Sequence, residues 1–331
     1  MTGLSLSLRL LPVLIALSFV SLLCGDAPVG LSDLLDWMGG AGNNGFAAII
    51  FGDIRAPRVA LAALNGLVLG MAGAAIQGLL RNPLAEPSLL GASNAAALGA
   101  VVAIYLGLSG TLSFIVPAFA ALAALASVVV LLLFAGKSPS SLRLILAGFA
   151  VSALAGAMIS LVLNLSPNIF AALEIAFWLL GAVENRSWAH VWLALPGSML
   201  GLCLLASCAR ALDALALGDR VAESLGTDLR YLNIRMALGL ALALGSVVAV
   251  TGVIGFVGLV APHLVRPFCG YRPSQILLPS ALVGAIMLIA ADSLIRLLPV
   301  SPELKLGVLT AFLGVPLLLY LLRLPHFRKL A

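Results

Sequence analysis

The chain has 331 residues, a net charge of +5 and a mean hydropathy of +1.18, with 62% hydrophobic and only 9% charged residues. A soluble domain carries about 25% charged residues, so this composition excludes a soluble protein and indicates helices solvated by lipid. The basic residues stand singly between apolar runs, which is a topology signal and not a nucleic-acid-binding surface. The sequence therefore predicts an all-α polytopic membrane protein, with one transmembrane domain over residues 1–331.

The N-terminal apolar run is predicted to be the first span. It resembles a lipoprotein signal only weakly, because Leu22 and Leu23 precede Cys24 where small residues are expected. Apolar runs bounded by charged residues, proline or glycine predict ten spans, at roughly 8–24, 57–79, 89–107, 113–135, 143–164, 190–209, 233–251, 253–267, 276–295 and 306–323. The shorter, broken run at 165–189 is predicted to be a helix at the membrane surface.

The distribution of lysine and arginine predicts the orientation, because cytoplasmic loops carry an excess of both. With the N-terminus in the cytoplasm, 13 of the 18 basic residues fall on the cytoplasmic side. The outer side then holds Arg55, Arg58, Arg186, Arg296 and Lys305. An even number of spans also places the C-terminus in the cytoplasm, where the basic tail 326–329 agrees with this orientation.

A weak internal repeat relates spans two to five to spans seven to ten in the opposite direction. Each group opens with a glycine-rich segment, at 66–78 and 239–258. Inverted repeats are common in transporters and place the pathway at the repeat interface.

Three kinds of chemistry find little support in the sequence. Residues 136–138 read Gly-Lys-Ser, but a phosphate loop needs another glycine where Leu131 stands, so any ATP is bound by another chain. A proton relay needs carboxylates deep in the membrane, and Asp292 is one turn from Arg296, with which we expect it to pair. No CxxC pair or metal-ligand spacing occurs among Cys24, Cys203, Cys208, Cys269, His190, His263 and His326.

Four segments are distinctive. Residues 51–58 place Arg55 and Arg58 at the start of the second span, either snorkelling at the interface or docking an acidic partner. Residues 77–94 form a cytoplasmic turn with two prolines. Residues 214–226 are charged and amphipathic, and longer than a turn requires. In residues 252–266, glycines at every third position predict one flat helix face for close packing.

In this order and spacing, these segments resemble the iron-chelate and cobalamin uptake permeases of type II ABC importers, over residues 8 to 325. The matching stretches read RAPR, RNPLAEPSLLGAS, ALGDRVAESLG, GFVGLVAPHLVR and LGVLTAFLGVPLLLYLL. The resemblance implies ten helices per chain, a pair of permeases, two ATPase subunits and a periplasmic binding protein. It also implies that this chain is not an enzyme and needs no cofactor.

The resemblance further implies the residues of each contact. Binding-protein carboxylates meet arginines that match Arg55, Arg58 and Arg296. The coupling segment for the ATPase matches Asp219, Arg220, Glu223, Leu225 and Gly226. The cytoplasmic gate matches Asn82 and Leu84, and more loosely Ser141 and Leu142, since hydroxyl residues are usual at both of the latter positions. The pathway runs along the fifth spans, near Asn164.

We therefore expect an inner-membrane permease that carries a ferric siderophore or haem from periplasm to cytoplasm. Cobalamin is the alternative cargo, because nothing in the apolar pathway distinguishes these large ligands. A proton-coupled secondary transporter is a further alternative, which a neighbouring reading frame with a phosphate loop would exclude. A structural membrane anchor is another, for which ten spans would be unusual.

Overall fold

The computed structural model describes residues 2–40, 45–108, 114–135, 141–299 and 303–322, which form helices joined by short turns with no β-strand among them. The helices are α1 (Gly3–Leu23), α2 (Leu31–Met38), α3 (Phe46–Ala48), α4 (Ala56–Leu80), α5 (Ala92–Tyr105), α6 (Ile115–Ala135), α7 (Ser141–Asn164), α8 (Ile169–Leu179), α9 (Trp188–Ser207), α10 (Ala209–Leu215), α11 (Asp219–Ser224), α12 (Leu229–Thr251), α13 (Val257–Val265), α14 (Pro273–Leu297) and α15 (Leu306–Leu322). A π-helical turn, Ile49–Arg55, leads into α4, and 3-10 turns cover Pro87–Leu90 and Arg266–Phe268. The predicted all-α fold is confirmed.

Seven helices of the described chain are long and apolar enough to cross a membrane, and each matches one of the predicted spans. The third, eighth and tenth predicted spans correspond to the shorter helices α5, α13 and α15, of 14, 9 and 17 residues. The count of ten spanning helices therefore stays a prediction. The helix expected between the fifth and sixth spans is present as α8.

Helix α4 lies at the centre of the bundle, and 83% of its most apolar stretch is buried. It packs closely on α14 and α13 because glycines remove the side chains at the crossings. A Cβ on Gly66 or Gly70 would overlap the backbone of α14, and one on Gly73 would overlap the backbone at Gly258 of α13. Glycine contacts of this kind thus hold the three central helices together.

The predicted flat glycine face over residues 252–258 is wrong. Helix α12 ends at Thr251, and α13 begins only at Val257, so Gly252 and Gly255 lie in a non-helical link. Gly252 has a φ of +71°, a conformation that favours glycine and ends the helix. Of the three glycines, only Gly258 belongs to a helix, and it makes the close contact with α4.

Loops predicted on the same side of the membrane meet at the same end of the bundle. At the outer end the contacts are Arg58–Glu303, Lys305–Glu184 and Trp188–Gly52. At the inner end they are Gly3–Gln275, Arg81–Asp219 and Ser274–Asp213. The alternating path of the chain is consistent with this grouping, while the direction of that path across the membrane stays a prediction.

Candidate functional site

The outer end contains a cluster of charged side chains where α4 and α14 lie side by side. The Nε atom of Arg58 lies 2.9 and 3.2 Å from the two carboxylate oxygens of Asp292, and Arg296 Nη2 lies 3.1 Å from the same carboxylate. Arg58 Nη2 also donates to Glu303 over 2.7 Å. The expected pairing of Asp292 with Arg296 is confirmed, and Arg58 is a second partner that the spacing alone did not reveal.

Arg296 of this cluster and the nearby Arg55 also hold the C-terminal end of α1. Arg55 Nη1 donates to the carbonyl of Leu22 over 2.8 Å, and Arg296 Nη1 donates to the carbonyls of Ser21 and Cys24 over 2.9 and 3.1 Å. The last carbonyls of a helix have no intrahelical partner and carry partial negative charge. The arginines therefore anchor the C-terminal end of α1 to the bundle.

The three arginines predicted to dock a partner are thus brought together, but most of their surface is covered. Arg55 and Arg296 are 5% and 8% exposed, and the Arg58 side chain is 11% exposed. Among these side chains Glu303 is the most exposed, at 42%. In this conformation the guanidinium groups serve contacts within the chain, and their docking role stays a prediction.

Glu303 was missed by the sequence reasoning. The available signal was a carboxylate in a predicted outer loop, soon after Arg296 and on the side predicted for Arg55 and Arg58. Partial burial would raise the pKa of Glu303, but hydrogen bonding to Arg58 and the charge of Arg58 outweigh it and lower that pKa. Glu303 is therefore ionised at neutral pH and bridges the loop before α15 to α4.

At the inner end, the predicted coupling segment presents an apolar face to solvent. Leu217, Val221 and Leu225 recur every four residues and are 65%, 43% and 63% exposed. Such spacing places the last two on one face of α11, while Ala222 on the other face is fully buried. The charged Arg220 and Glu223 and the terminal Gly226 are also exposed, and Asp219 is partly so. The segment thus offers an apolar strip flanked by charge.

The predicted gate loop lies beside this segment. Asn82 and Leu84 are exposed, and Arg81 just before them lies 2.8 Å from Asp219 through its Nη2 atom. Ser141 and Leu142 begin α7, and their side chains are outside the described part of the structure. The first pair of predicted gate residues is therefore next to the coupling segment, and no placement is made for the second pair.

Helix α7 has few neighbours within the chain, since only 11% of its apolar window is buried. Its large side chains point outward, including Phe149, Leu154 and Leu161 at 63%, 61% and 55% exposure. Asn164, predicted near the pathway, is exposed at the outer end of this helix. A long apolar helix with an open face and a polar end needs a partner, either lipid or protein.

Within the described residues, no group of three histidine, cysteine or acidic side chains could hold a metal ion, and the four cysteines are free. A bundle of membrane-crossing helices with an open helix face and an exposed inner loop defines a polytopic membrane protein with surfaces left for partners. The comparison of sequences gives the particular family: the chain belongs to the FecCD transport family, which matches residues 13–324.

Individual relatives refine this class. The chain is 41% identical to an uncharacterized ABC transporter permease, YvrB of Bacillus subtilis, over 83% of this chain and 78% of the relative. It is 38% identical to the cobalamin import permease BtuC of Halobacterium salinarum, over 86% and 76%. A solved structure described as an inward-facing, metal-chelate type ABC transporter superposes with a TM-score of 0.84, at 26% identity, over 98% and 100%. The fold is that of a type II ABC importer permease.

Proposed function

We propose that this chain moves an iron chelate, a ferric siderophore or haem, from the periplasm into the cytoplasm across the bacterial inner membrane. The class, an ABC importer permease, follows from the family match over residues 13–324. Hydrolysis of ATP belongs to a separate subunit in this proposal. The observation that supports this division most directly is the exposed apolar strip of Leu217, Val221 and Leu225.

The strip is the proposed docking surface for the ATPase subunit. Exposed apolar side chains rimmed by charge mark protein–protein contacts on otherwise soluble surfaces. The short helices α10 and α11 hold the strip, and the buried Ala222 and Leu215 fasten it to the bundle. A push on this segment would be transmitted to the bundle, because α10 packs on both α4 and α14.

The open face of α7 is the proposed contact with a second copy of the chain. The pathway would then run between two α7 helices, past Asn164 at its outer mouth. Support comes from the low burial of α7, which lies along the bundle without a covering helix on its outward side. The exposed Ser160 hydroxyl on this helix suits a pathway more than a lipid contact.

The outer charged cluster is the proposed landing site of the binding protein. Arg58 is the arginine closest to the surface, because its partner Glu303 is partly exposed. A carboxylate of the binding protein could replace Glu303 beside Arg58, exchanging one ion pair for another. Arg55 and Arg296 support this surface by holding the end of α1, and they would contact the partner only after their own hydrogen bonds open.

Cobalamin is a second candidate cargo, since permeases of cobalamin import are among the relatives at 38% and 35% identity. The metal-chelate description of the superposed structure fits an iron chelate and the cobalt complex cobalamin alike. Both cargoes are large, and the binding protein selects between them in the proposed system. The choice therefore needs a transport measurement.

The test uses the complete complex of permease, ATPase and binding protein in proteoliposomes. We expect ATP-dependent uptake of a radiolabelled ferric siderophore or of haem, and no uptake without the binding protein. Uptake of cobalamin alone would move the assignment to the second candidate. Uptake that follows a proton gradient without ATP would contradict the proposed function altogether.

A further inference from the structure

The loop after α4 turns back into the membrane region. The Pro87 ring packs against Gly258, beside the carbonyl of Leu69. Leu69 is 11 residues before the inner end of α4 at Leu80, which corresponds to about 16 Å along a helix. Gly91 likewise packs against Val151, near the middle of α7. Residues 87–91 therefore lie at mid-depth in the bundle.

Two short helices begin at this depth. Helix α5 starts at Ala92, directly after the re-entrant loop, and α13 starts at Val257, next to the Gly258 contact. Backbone that is not helical at membrane depth must find its hydrogen-bond partners inside the protein. The amide of Phe256, which opens α13, donates to the Glu86 carboxylate over 3.0 Å. Glu86 thus joins the loop to the first turn of α13.

Space beside this contact allows it to move. A cavity of about 240 Å³ is lined by polar groups of the loop and of α5, including Glu86, Ser88, Ser93 and Asn94. A Cβ on Gly255, next to Phe256, would lie 3.5 Å from Glu86 Oε1, so the glycine leaves this side of the carboxylate open. Packed cores resist displacement, whereas a side chain beside free volume can change position without overlap. The Glu86 side chain therefore has room to shift together with the loop while it holds the Phe256 amide.

The other end of the loop joins the coupling segment. Arg81 ends α4 in a left-handed conformation, with a φ of 50°, and its guanidinium lies 2.8 Å from Asp219. Between the two ends the loop is held compact, because Asn82 Oδ1 accepts from Leu84 N over 2.9 Å and the Asn82 carbonyl accepts from Ala85 N over 3.1 Å. A compact loop fixed at both ends transmits displacement.

We propose that Glu86 is a positioning residue of the transport cycle, which ties the loop of residues 81–86 to the first turn of α13. A displacement of the coupling segment then reaches mid-depth through Arg81, the loop and Glu86. This inference rests on the proposed function. The inference adds to the proposed function the connection between the ATPase-docking strip and the centre of the bundle. Asn82 and Leu84 lie on the connecting loop and move with it.

A purely structural capping role makes a different prediction, and Asp33 provides the control. Its carboxylate accepts from Gly30 N over 2.7 Å at the start of α2, in the predicted outer loop between the first two spans. Asp33 therefore accepts a backbone amide at a helix start as Glu86 does, but it lies away from the coupling segment and the gate loop. Loss of either contact lowers stability, whereas only the loss of Glu86 separates ATP hydrolysis from uptake.

The experiment compares Glu86→Ala, Glu86→Gln and Asp33→Ala in reconstituted complex, measuring cargo transported per ATP hydrolysed. We expect the ratio to fall about tenfold in Glu86→Ala, the factor that corresponds to about 1.4 kcal/mol. It should stay within about twofold in Glu86→Gln, since the amide oxygen still accepts the Phe256 hydrogen bond. Asp33→Ala should leave the ratio unchanged. An unchanged ratio in Glu86→Ala, or an equal fall in Asp33→Ala, would overturn the inference.

A second readout needs no cargo and so separates this inference from the proposed function. Spin labels replace the exposed Leu84 and Leu264, on the loop and on α13, in a chain without its native cysteines. In Glu86→Ala the distribution of label distances should broaden, while in Glu86→Gln and Asp33→Ala it should match the parent protein. A distribution that is the same in all four proteins would show that Glu86 does not tie the loop to α13.

Discussion

Arg58 and Asp292 are 234 residues apart in the chain, yet Arg58 Nε lies 2.9 Å from Asp292 Oδ1 in a nearly buried ion pair. The pair joins α4 to α14 at the outer end, above the glycine crossings of the same two helices. Asp292 also faces Arg296, so a single carboxylate is shared between two cations. Its removal would leave two buried positive charges with fewer partners.

We expect Asp292→Ala to lower the free energy of unfolding by about 3–5 kcal/mol, the usual cost of removing one partner of a buried ion pair. Glu303→Gln is the matched control, because that carboxylate is 42% exposed and such pairs contribute about 1 kcal/mol or less. Thermal unfolding of the purified permease measures both. If Asp292→Ala unfolds at a midpoint as high as that of Glu303→Gln, the buried ion pairs of Asp292 contribute little to stability.

Two glutamate-to-lysine changes, one on the coupling segment and one elsewhere, should differ in their effect on ATPase binding. Glu223→Lys alters the exposed inner segment, and Glu174→Lys makes the same change on the exposed face of α8. We expect the first to weaken binding of the ATPase subunit at least about tenfold, a loss of roughly 1.4 kcal/mol, and the second to leave it unchanged. Co-purification at graded ATPase concentrations gives the affinity. Wild-type binding by Glu223→Lys would exclude this surface.

The glycine crossings predict opposite outcomes for two glycine-to-alanine changes. In Gly73→Ala the new Cβ overlaps the backbone of Gly258, so α4 and α13 must separate, at a cost of roughly 1–3 kcal/mol or more. In Gly156→Ala the new Cβ meets nothing within 4 Å, and alanine is the better helix former by about 1 kcal/mol. In denaturing detergent, Gly73→Ala should unfold more readily than the parent, and Gly156→Ala should be as stable as the parent or more stable. The reverse order of stabilities would refute the close crossing of α4 and α13 at Gly73.

The open face of α7 predicts where two copies meet. In a chain without native cysteines, Leu154→Cys and Leu161→Cys should form disulfide-linked dimers on mild oxidation in the membrane. Ile15→Cys on α1 is the control, since Ile15 is 61% exposed, as Leu154 is, but lies on a helix outside the proposed contact. Cross-linking at position 15 and not on α7 would place the second copy against α1 instead.

Apolar composition predicted the long helices well, because a run of about 20 apolar residues has few alternatives in a bilayer. The same reasoning failed at residues 252–256, where Val253, Ile254 and Phe256 are as apolar as any helix. Phe256 has a φ of +66° and its amide is satisfied by Glu86, a residue 170 positions away. Hydropathy does not detect non-helical backbone whose polar groups are paired by distant side chains.

In the candidate sites too, the sequence predicts local contacts and misses those that depend on how distant segments pack. The pairing of Asp292 with Arg296 follows from a separation of four residues on one helix, so the sequence predicts it directly. The contacts of Arg58 with Asp292 and Glu303 depend on how α4 lies against α14 and on the path of a loop. The position of the arginines was predicted, while their burial under the end of α1 required the structure.

Helix α1 has a further consequence for synthesis of the chain. It is made well before its main neighbours, which are on α14, where Gln275 holds Gly3 and Ser293 and Arg296 hold Ser21. These partners are made about 270 residues later, so α1 must wait in lipid until most of the protein has been translated. Its low burial, 11% of the apolar window, suits a helix that is stable in lipid alone. Closure of α1 onto α14 is accordingly among the last steps of assembly, and the buried arginines complete it.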